Sequence, residues 1–115
     1  MEADVFCKFI DGDIPTEFVY RDDDVAVFAD INPKAPVHLL IVPVRHYTGI
    51  ADFSETDGKL LGHMLRIAHT IADERGLHEG YRLIINEGAH GNKIVPHLHI
   101  HLLGGKNLGP KIVAE

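Results

Sequence analysis

Along this chain, short apolar runs are separated by clusters of Asp, Gly, Pro and Asn, and one long segment repeats its apolar residues at helical spacing. A short helix is expected around Asp4 to Ile10, ended by Asp11-Gly12-Asp13 and Pro15. Strands are expected near Glu17–Tyr20 and Val25–Phe28, joined by the acidic turn Arg21-Asp22-Asp23-Asp24. Asn32-Pro33-Lys34-Ala35-Pro36 reads as a loop, because its prolines lack N–H donors and fix φ. His38-Leu39-Leu40-Ile41-Val42 reads as a nearly continuous apolar strand, stopped by Pro43.

The strongest helix signal runs from about Glu55 to Arg75. Ser54 is a natural N-cap with Asp57 at N3, and Gly76 stands where a C′ glycine belongs. At 100° per residue, Leu60, Leu61, Met64, Leu65, Ile67, Ala68, Ile71 and Ala72 fill an arc of about 160°. Packing on one sheet needs only about 100°. The excess predicts a second buried surface, and hence a homodimer. Tyr81–Asn86 and His97–Leu103 read as closing strands. Between them lies Glu87-Gly88-Ala89-His90-Gly91-Asn92, a loop whose glycines can bring backbone N–H groups close to a ligand. Strands linked by short turns around one longer helix predict an α+β fold with a mainly antiparallel sheet.

Length and composition narrow the class. At 115 residues, the chain is expected to form one domain spanning 1–115. No apolar run approaches the roughly 20 residues of a membrane span. Met1-Glu2-Ala3-Asp4 has neither a basic nor an apolar leader pattern, and Cys7 has no second cysteine to pair with. Both features predict a cytoplasmic protein. The formal charge of −6 argues against nucleic acid or an anionic membrane as partner, but local donors can still hold a small anion.

The histidines change the picture. There are nine, and three fall in the run His97-Leu98-His99-Ile100-His101. In a strand, alternate side chains share a face, so the three imidazoles project together while Leu98, Ile100 and Leu102 project oppositely. Three explanations fit that row: a polar face that happens to be histidine-rich, a metal site using His-x-His, or catalysis by imidazole. A ring with pKa near 6.5 is substantially neutral at pH 7 and can attack phosphorus.

The run fits the His-φ-His-φ-His-φ-φ signature (φ apolar) and resembles the histidine triad, or HIT, nucleotide hydrolases and transferases. Phe6-Cys7-Lys8 through Ile14-Pro15, Phe28-Ala29-Asp30-Ile31-Asn32-Pro33, Ile41-Val42-Pro43 to His46, Tyr81 to Asn86-Glu87-Gly88, and Leu103-Gly104-Gly105 are similar to its Hint branch in order and spacing. The likeness covers about residues 4 to 107. It implies a HIT-like fold, a five-stranded mainly antiparallel sheet with one long and one short helix. It also implies hydrolysis of purine nucleoside 5′-phosphoramidates through a nucleotidyl-histidine, with no cofactor.

By motif position, the resemblance makes His99 the nucleophile, His101 the phosphate contact, His97 the support of the array and His46 its buttress. It makes Asp30 the acceptor for ribose hydroxyls, and Ile31, Phe28, Phe9, Phe6 and Ile14 the apolar clamp for the base. Asn86, Asn92 and Lys93 complete the expected nucleotide site. Some relatives hold a structural zinc with Cys-x-x-Cys and two histidines; here Asp4 stands in the first cysteine's place, giving Asp4, Cys7, His46 and His97 as the alternative metal set. The chain departs from the family at Asn92-Lys93-Ile94-Val95, where Gly-Gln-Ser/Thr-Val is usual. Ile94 cannot donate a hydrogen bond to a leaving group. Two alternatives therefore stand beside the hydrolase: a catalytically weak nucleotide-binding dimer, and a metal-dependent hydrolase using the same histidines.

Overall fold

The computed structural model describes residues 4–110. Helix α1 (Val5–Asp11) comes first, followed by strands β1 (Phe18–Arg21), β2 (Val25–Ala29) and β3 (Val37–Pro43). Two single 3₁₀ turns, Ile50–Asp52 and Glu55–Asp57, lead into helix α2 (Gly58–Glu74). Strands β4 (Tyr81–Ile84) and β5 (Ile100–Gly104) follow. The strands form one antiparallel sheet in the order β1-β2-β3-β5-β4, so β5 inserts beside β3 and β4 forms an edge.

Strand alternation divides the apolar residues between two faces. Val25, Val27, Leu39, Ile41, Leu98, Ile100 and Leu102 pack with Met64, Ile67, Ala68 and Ile71 of α2 in the larger core. Ala26, Phe28, Leu40 and Val42 point the other way and pack with Phe6 and Ile10 of α1 in the smaller one. Asp22 joins α2 to the β1–β2 turn. Its carboxylate accepts from the Asp24 and Val25 amides at 2.8 and 2.7 Å, and from the Tyr20 hydroxyl and His63 Nε2, each at 2.7 Å.

The elements follow the sequence pattern, with boundary differences that have local causes. Asp4 is not the first helical residue but the N-cap of α1, accepting the Cys7 amide at 2.8 Å. Ser54 and Asp57 do form a capping box, but the turn they cap is 3₁₀, and the α-helix starts at Gly58. The largest difference lies at the histidine run, where the ladder begins only at Ile100. The His97 amide bonds the Val95 carbonyl at 2.8 Å and the Leu98 amide bonds the Tyr47 carbonyl at 2.7 Å. These bonds pull the chain off β3, whose last residue, Pro43, has no N–H to offer. Alternation nonetheless persists, since Leu98 and Ile100 sit in the larger core with the histidines opposite.

Truncating a side chain in the larger core leaves a void that a tight sheet–helix interface cannot fill. Ile100→Ala is expected to cost about 2–5 kcal/mol of unfolding free energy, whereas Lys59→Ala, exposed on the first turn of α2, costs under about 1 kcal/mol. Urea unfolding midpoints of the two variants check this.

Candidate active site

On the α1 side of the sheet, a cavity of 420 Å³ opens between three segments. Val5, Phe6 and Phe9 come from α1, Phe28 to Asn32 from the end of β2 and its loop, and Asn86, Asn92, Ile94 and Val95 from the β4–β5 connection. His99 and His101 form its floor with Leu40. A larger cavity of 660 Å³ lies between residues 76–82 and 105–109, but it brings no histidine into its lining. The triad histidines that reach a cavity, His99 and His101, therefore open onto the smaller one.

The hydrogen bonds decide which ring nitrogen carries each proton. His99 Nδ1 lies 2.7 Å from the His97 carbonyl, an acceptor, so Nδ1 holds the proton and Nε2 keeps its lone pair. His101 is set oppositely, by a relay. The Lys34 amide donates to His38 Nδ1 at 3.0 Å, which leaves the proton of a neutral His38 on Nε2. That nitrogen lies 2.9 Å from His101 Nδ1 and 3.4 Å from Asp30 Oδ2. His101 Nδ1 accepts, and its own proton moves to Nε2. Two rings whose centroids are 4.9 Å apart thus present different groups, one a lone pair and the other an N–H.

Neutral rings are required for this, and burial supplies them. Desolvation holds His99 below the ordinary imidazole value of 6.5, reinforced by the positive charge of Lys93. Desolvation, with His99 and His38 alongside, pushes His101 down to about 4. His38 and His97 are lowered for the same first reason.

The expected site residues divide into groups. Asp30, Ile31, Phe28, Phe9, Phe6, Asn86 and Asn92 line the cavity. Asn86 donates to the Gly91 carbonyl at 2.7 Å, and Asn92 takes a left-handed φ of 59° that turns the loop over the floor. His97 and His46 lie behind the floor, beside Asp4. Two of the expected residues lie outside this lining. Ile14 is not among the lining residues: α1 ends at the left-handed Gly12, and the chain turns away before Ile14 is reached. Lys93 does not face the cavity either, because its ammonium is held by the Thr48 carbonyl and by Glu87 at 3.3 Å.

His38 and Val5 are among the residues that pattern reading missed. His38 sat inside an apolar strand, where a lone buried polar residue alternating with Leu40 and Val42 was the available signal. Val5 precedes Phe6 on the first turn of α1 and reads as an ordinary helix residue.

Asp4, Cys7, His46 and His97 bring a carboxylate, a thiol and two imidazoles within 4.8 Å of one another, a donor set with zinc chemistry. Their spacing is that of hydrogen bonds. Tetrahedral zinc ligands stand about 3.3 Å or more apart, whereas Asp4 Oδ2 lies 2.9 Å from His46 Nε2 and 3.1 Å from His97 Nδ1. His46 Nε2 also meets the Pro96 carbonyl at 2.9 Å. Two oxygens converging on one nitrogen require it to carry a proton, and a protonated nitrogen is not a ligand. As arranged, these residues do not fit a metal. Asp30, His38 and His101 form a second such group, and there the two imidazoles are likewise hydrogen-bonded to each other.

A family model described as HIT domain matches residues 11–108. The chain is 45% identical over 112 residues to the purine nucleoside phosphoramidase of Escherichia coli (strain K12), covering 96% of this chain and 94% of that one. It is 44% identical over 106 residues to a 14 kDa zinc-binding protein of Zea mays, covering 90% and 83%. Among solved structures, a HIT family hydrolase from Clostridium thermocellum superposes with a TM-score of 0.92 at 42% identity, covering 98% of this chain and 99% of that one. A histidine triad protein from Clostridium difficile gives 0.90 at 40%, covering 96% and 99%.

Because the folded state resists protonating its buried imidazoles, the unfolded chain takes up protons first as pH falls below 6.5. The stability these groups contribute is present above that pH and is lost progressively toward pH 4. Urea midpoints measured from pH 7.5 to 4.5 are expected to decline steadily, and more gently in His101→Asn than in the wild type.

Proposed function

This chain belongs to the HIT domain family, and we propose that it hydrolyses purine nucleoside 5′-phosphoramidates through a nucleotide covalently held on His99. The observation that carries this reading is the pair of ring hydrogen bonds on the cavity floor, whose partners imply opposite tautomers. His99 offers an unprotonated Nε2 because its other nitrogen is committed to the His97 carbonyl. His101 offers an N–H because its other nitrogen is committed to His38.

In this mechanism His99 Nε2 attacks the α-phosphorus, and the P–N bond breaks with its electron pair on the departing amine, which leaves with a proton drawn from solvent. The resulting phosphoryl-imidazolium keeps its Nδ1–H on the His97 carbonyl. His101 donates to a phosphate oxygen as negative charge develops there. Water then attacks phosphorus, His99 leaves as a neutral ring, and the water's proton returns to solvent with release of the nucleoside monophosphate. The Asp30 carboxylate is suited to the ribose hydroxyls, and Phe6, Phe9, Phe28, Ile31 and Val5 supply the apolar wall for the base.

One observation favours a second reading. Ile94 lines the cavity and is 84% exposed, so the rim carries an apolar side chain where a proton donor would assist the amine. A nucleotide-binding protein with little turnover is consistent with that rim. The chain is further proposed to act as a homodimer, because Leu65 on the outer side of α2 stays 41% exposed. Light scattering on a sizing column should then return twice the 12.7 kDa chain mass.

Incubation with adenosine 5′-phosphoramidate followed by intact-mass measurement tests the main reading. The expected result is a transient nucleotide adduct and release of AMP, both insensitive to EDTA. His99→Ala is expected to lose the adduct and about a thousandfold or more of the rate. Full activity in that variant sinks the proposal, and tight AMP binding without adduct or product selects the second reading.

A further inference from the structure

We propose that Asp4 is a positioning residue for the triad, a carboxylate staple that holds the nucleophile's anchor in place without a metal. The inference rests on the hydrolase reading above for its kinetic consequences, but its geometry stands apart from it.

His99 lies outside the β-ladder, which begins only at Ile100. Its orientation depends on one bond, from Nδ1 to the His97 carbonyl, so whatever fixes residue 97 fixes the nucleophile. The backbone around 97 has few bonds of its own, the amides of His97 and Leu98 donating to Val95 and Tyr47. The remaining restraint comes from side chains, and it converges on Asp4. The Asp4 carboxylate lies 3.1 and 3.2 Å from His97 Nδ1 and the Pro43 carbonyl 3.0 Å from Nε2; the charged acceptor draws the neutral ring's one N–H to Nδ1, so the fully buried ring is held by Asp4. Asp4 also meets His46 Nε2, and the same nitrogen reaches the carbonyl of Pro96, the residue immediately before the triad.

Asp4 simultaneously caps α1, whose Val5, Phe6 and Phe9 form one wall of the cavity. One carboxylate therefore sets both the apolar wall and the attacking group. Its side chain is only 6% exposed, and a buried carboxylate persists because each oxygen has partners. A metal drawing the same four residues together would restrain residue 97 equally well, which makes the substitution testable.

Asp4→Ser keeps an N-cap oxygen for the Cys7 amide but lacks the charge and the reach to His46 and His97. With adenosine 5′-phosphoramidate it is expected to lose about tenfold to a hundredfold in kcat, with KM changed by less than about twofold because α1 remains capped. Asp4→Ala loses the cap as well, so its KM rises too. Asp4→Cys, with Cys7, His46 and His97, makes a Cys₂His₂ set; one equivalent of zinc is expected to restore most of its kcat, and EDTA to remove it. The ¹⁵N resonances of the His99 ring read the Nδ1–H bond without turnover and are expected to move in Asp4→Ser. Wild-type kcat in Asp4→Ser, an unmoved His99 ring, zinc bound to Asp4→Cys with no recovery, or a wild-type protein that holds stoichiometric zinc and fails in EDTA would each overturn the inference. A shifted ring beside an inactive wild type instead sinks only the hydrolase reading.

Discussion

In the ladder joining β3 to β5, Leu40 lies opposite His101 and Ile41 opposite Ile100, and the site depends on that register. It sends Leu39, Ile41, Ile100 and Leu102 into the core beneath α2. It sends His38, Leu40 and His101 to the other face, where α1 packs. Because side chains alternate with a period of two, a slip of one residue would drive imidazoles into the α2 core and leave apolar side chains in the cavity. The burial of those branched side chains against α2 is thus what holds the histidines where chemistry can use them.

Burying several imidazoles on one face carries a desolvation cost, offset by giving each ring committed partners. Among the described residues, no buried side-chain nitrogen or oxygen lacks a hydrogen-bond partner. The partners are unequal in kind: a backbone carbonyl for His99, another imidazole for His101, and a carboxylate with a carbonyl for His97. This inequality turns a row of identical side chains into groups with different roles. It also means that the network acts as a unit, since changing His38 alters what His101 can offer, and changing Asp4 alters what His97 can hold.

The loop from Glu87 to Val95 borders the cavity through Asn92, Ile94 and Val95. Lys93 folds back onto the Thr48 carbonyl and Glu87 rather than into the cavity, and a Cβ at Gly49 would collide with both side chains. Its charge still acts on His99 through space, helping to keep that ring neutral. Ile94 takes the exposed rim position instead. The loop thus sets a positive charge behind the cavity and an apolar edge in front of it.

Local pattern was enough to identify most elements and the two faces of the triad segment. Apolar spacing marks α2, alternation marks the strands, and the Leu98-Ile100-Leu102 series marks the buried side of the run. The His-x-His-x-His spacing, read with the flanking motifs, marked the family and the cavity's Asp30, Phe28 and Asn86. Local pattern was not enough for Lys93, His38 or the role of Asp4. Each depends on contacts between segments far apart in the chain: His38 with His101, Asp4 with His97, Lys93 with Thr48. Sequence periodicity by itself determined which side of an element faces inward, because that follows from backbone geometry within a few residues. Only the tertiary structure decided which ring nitrogen holds a proton and which charge points at the cavity, because those depend on the partner that folding delivers.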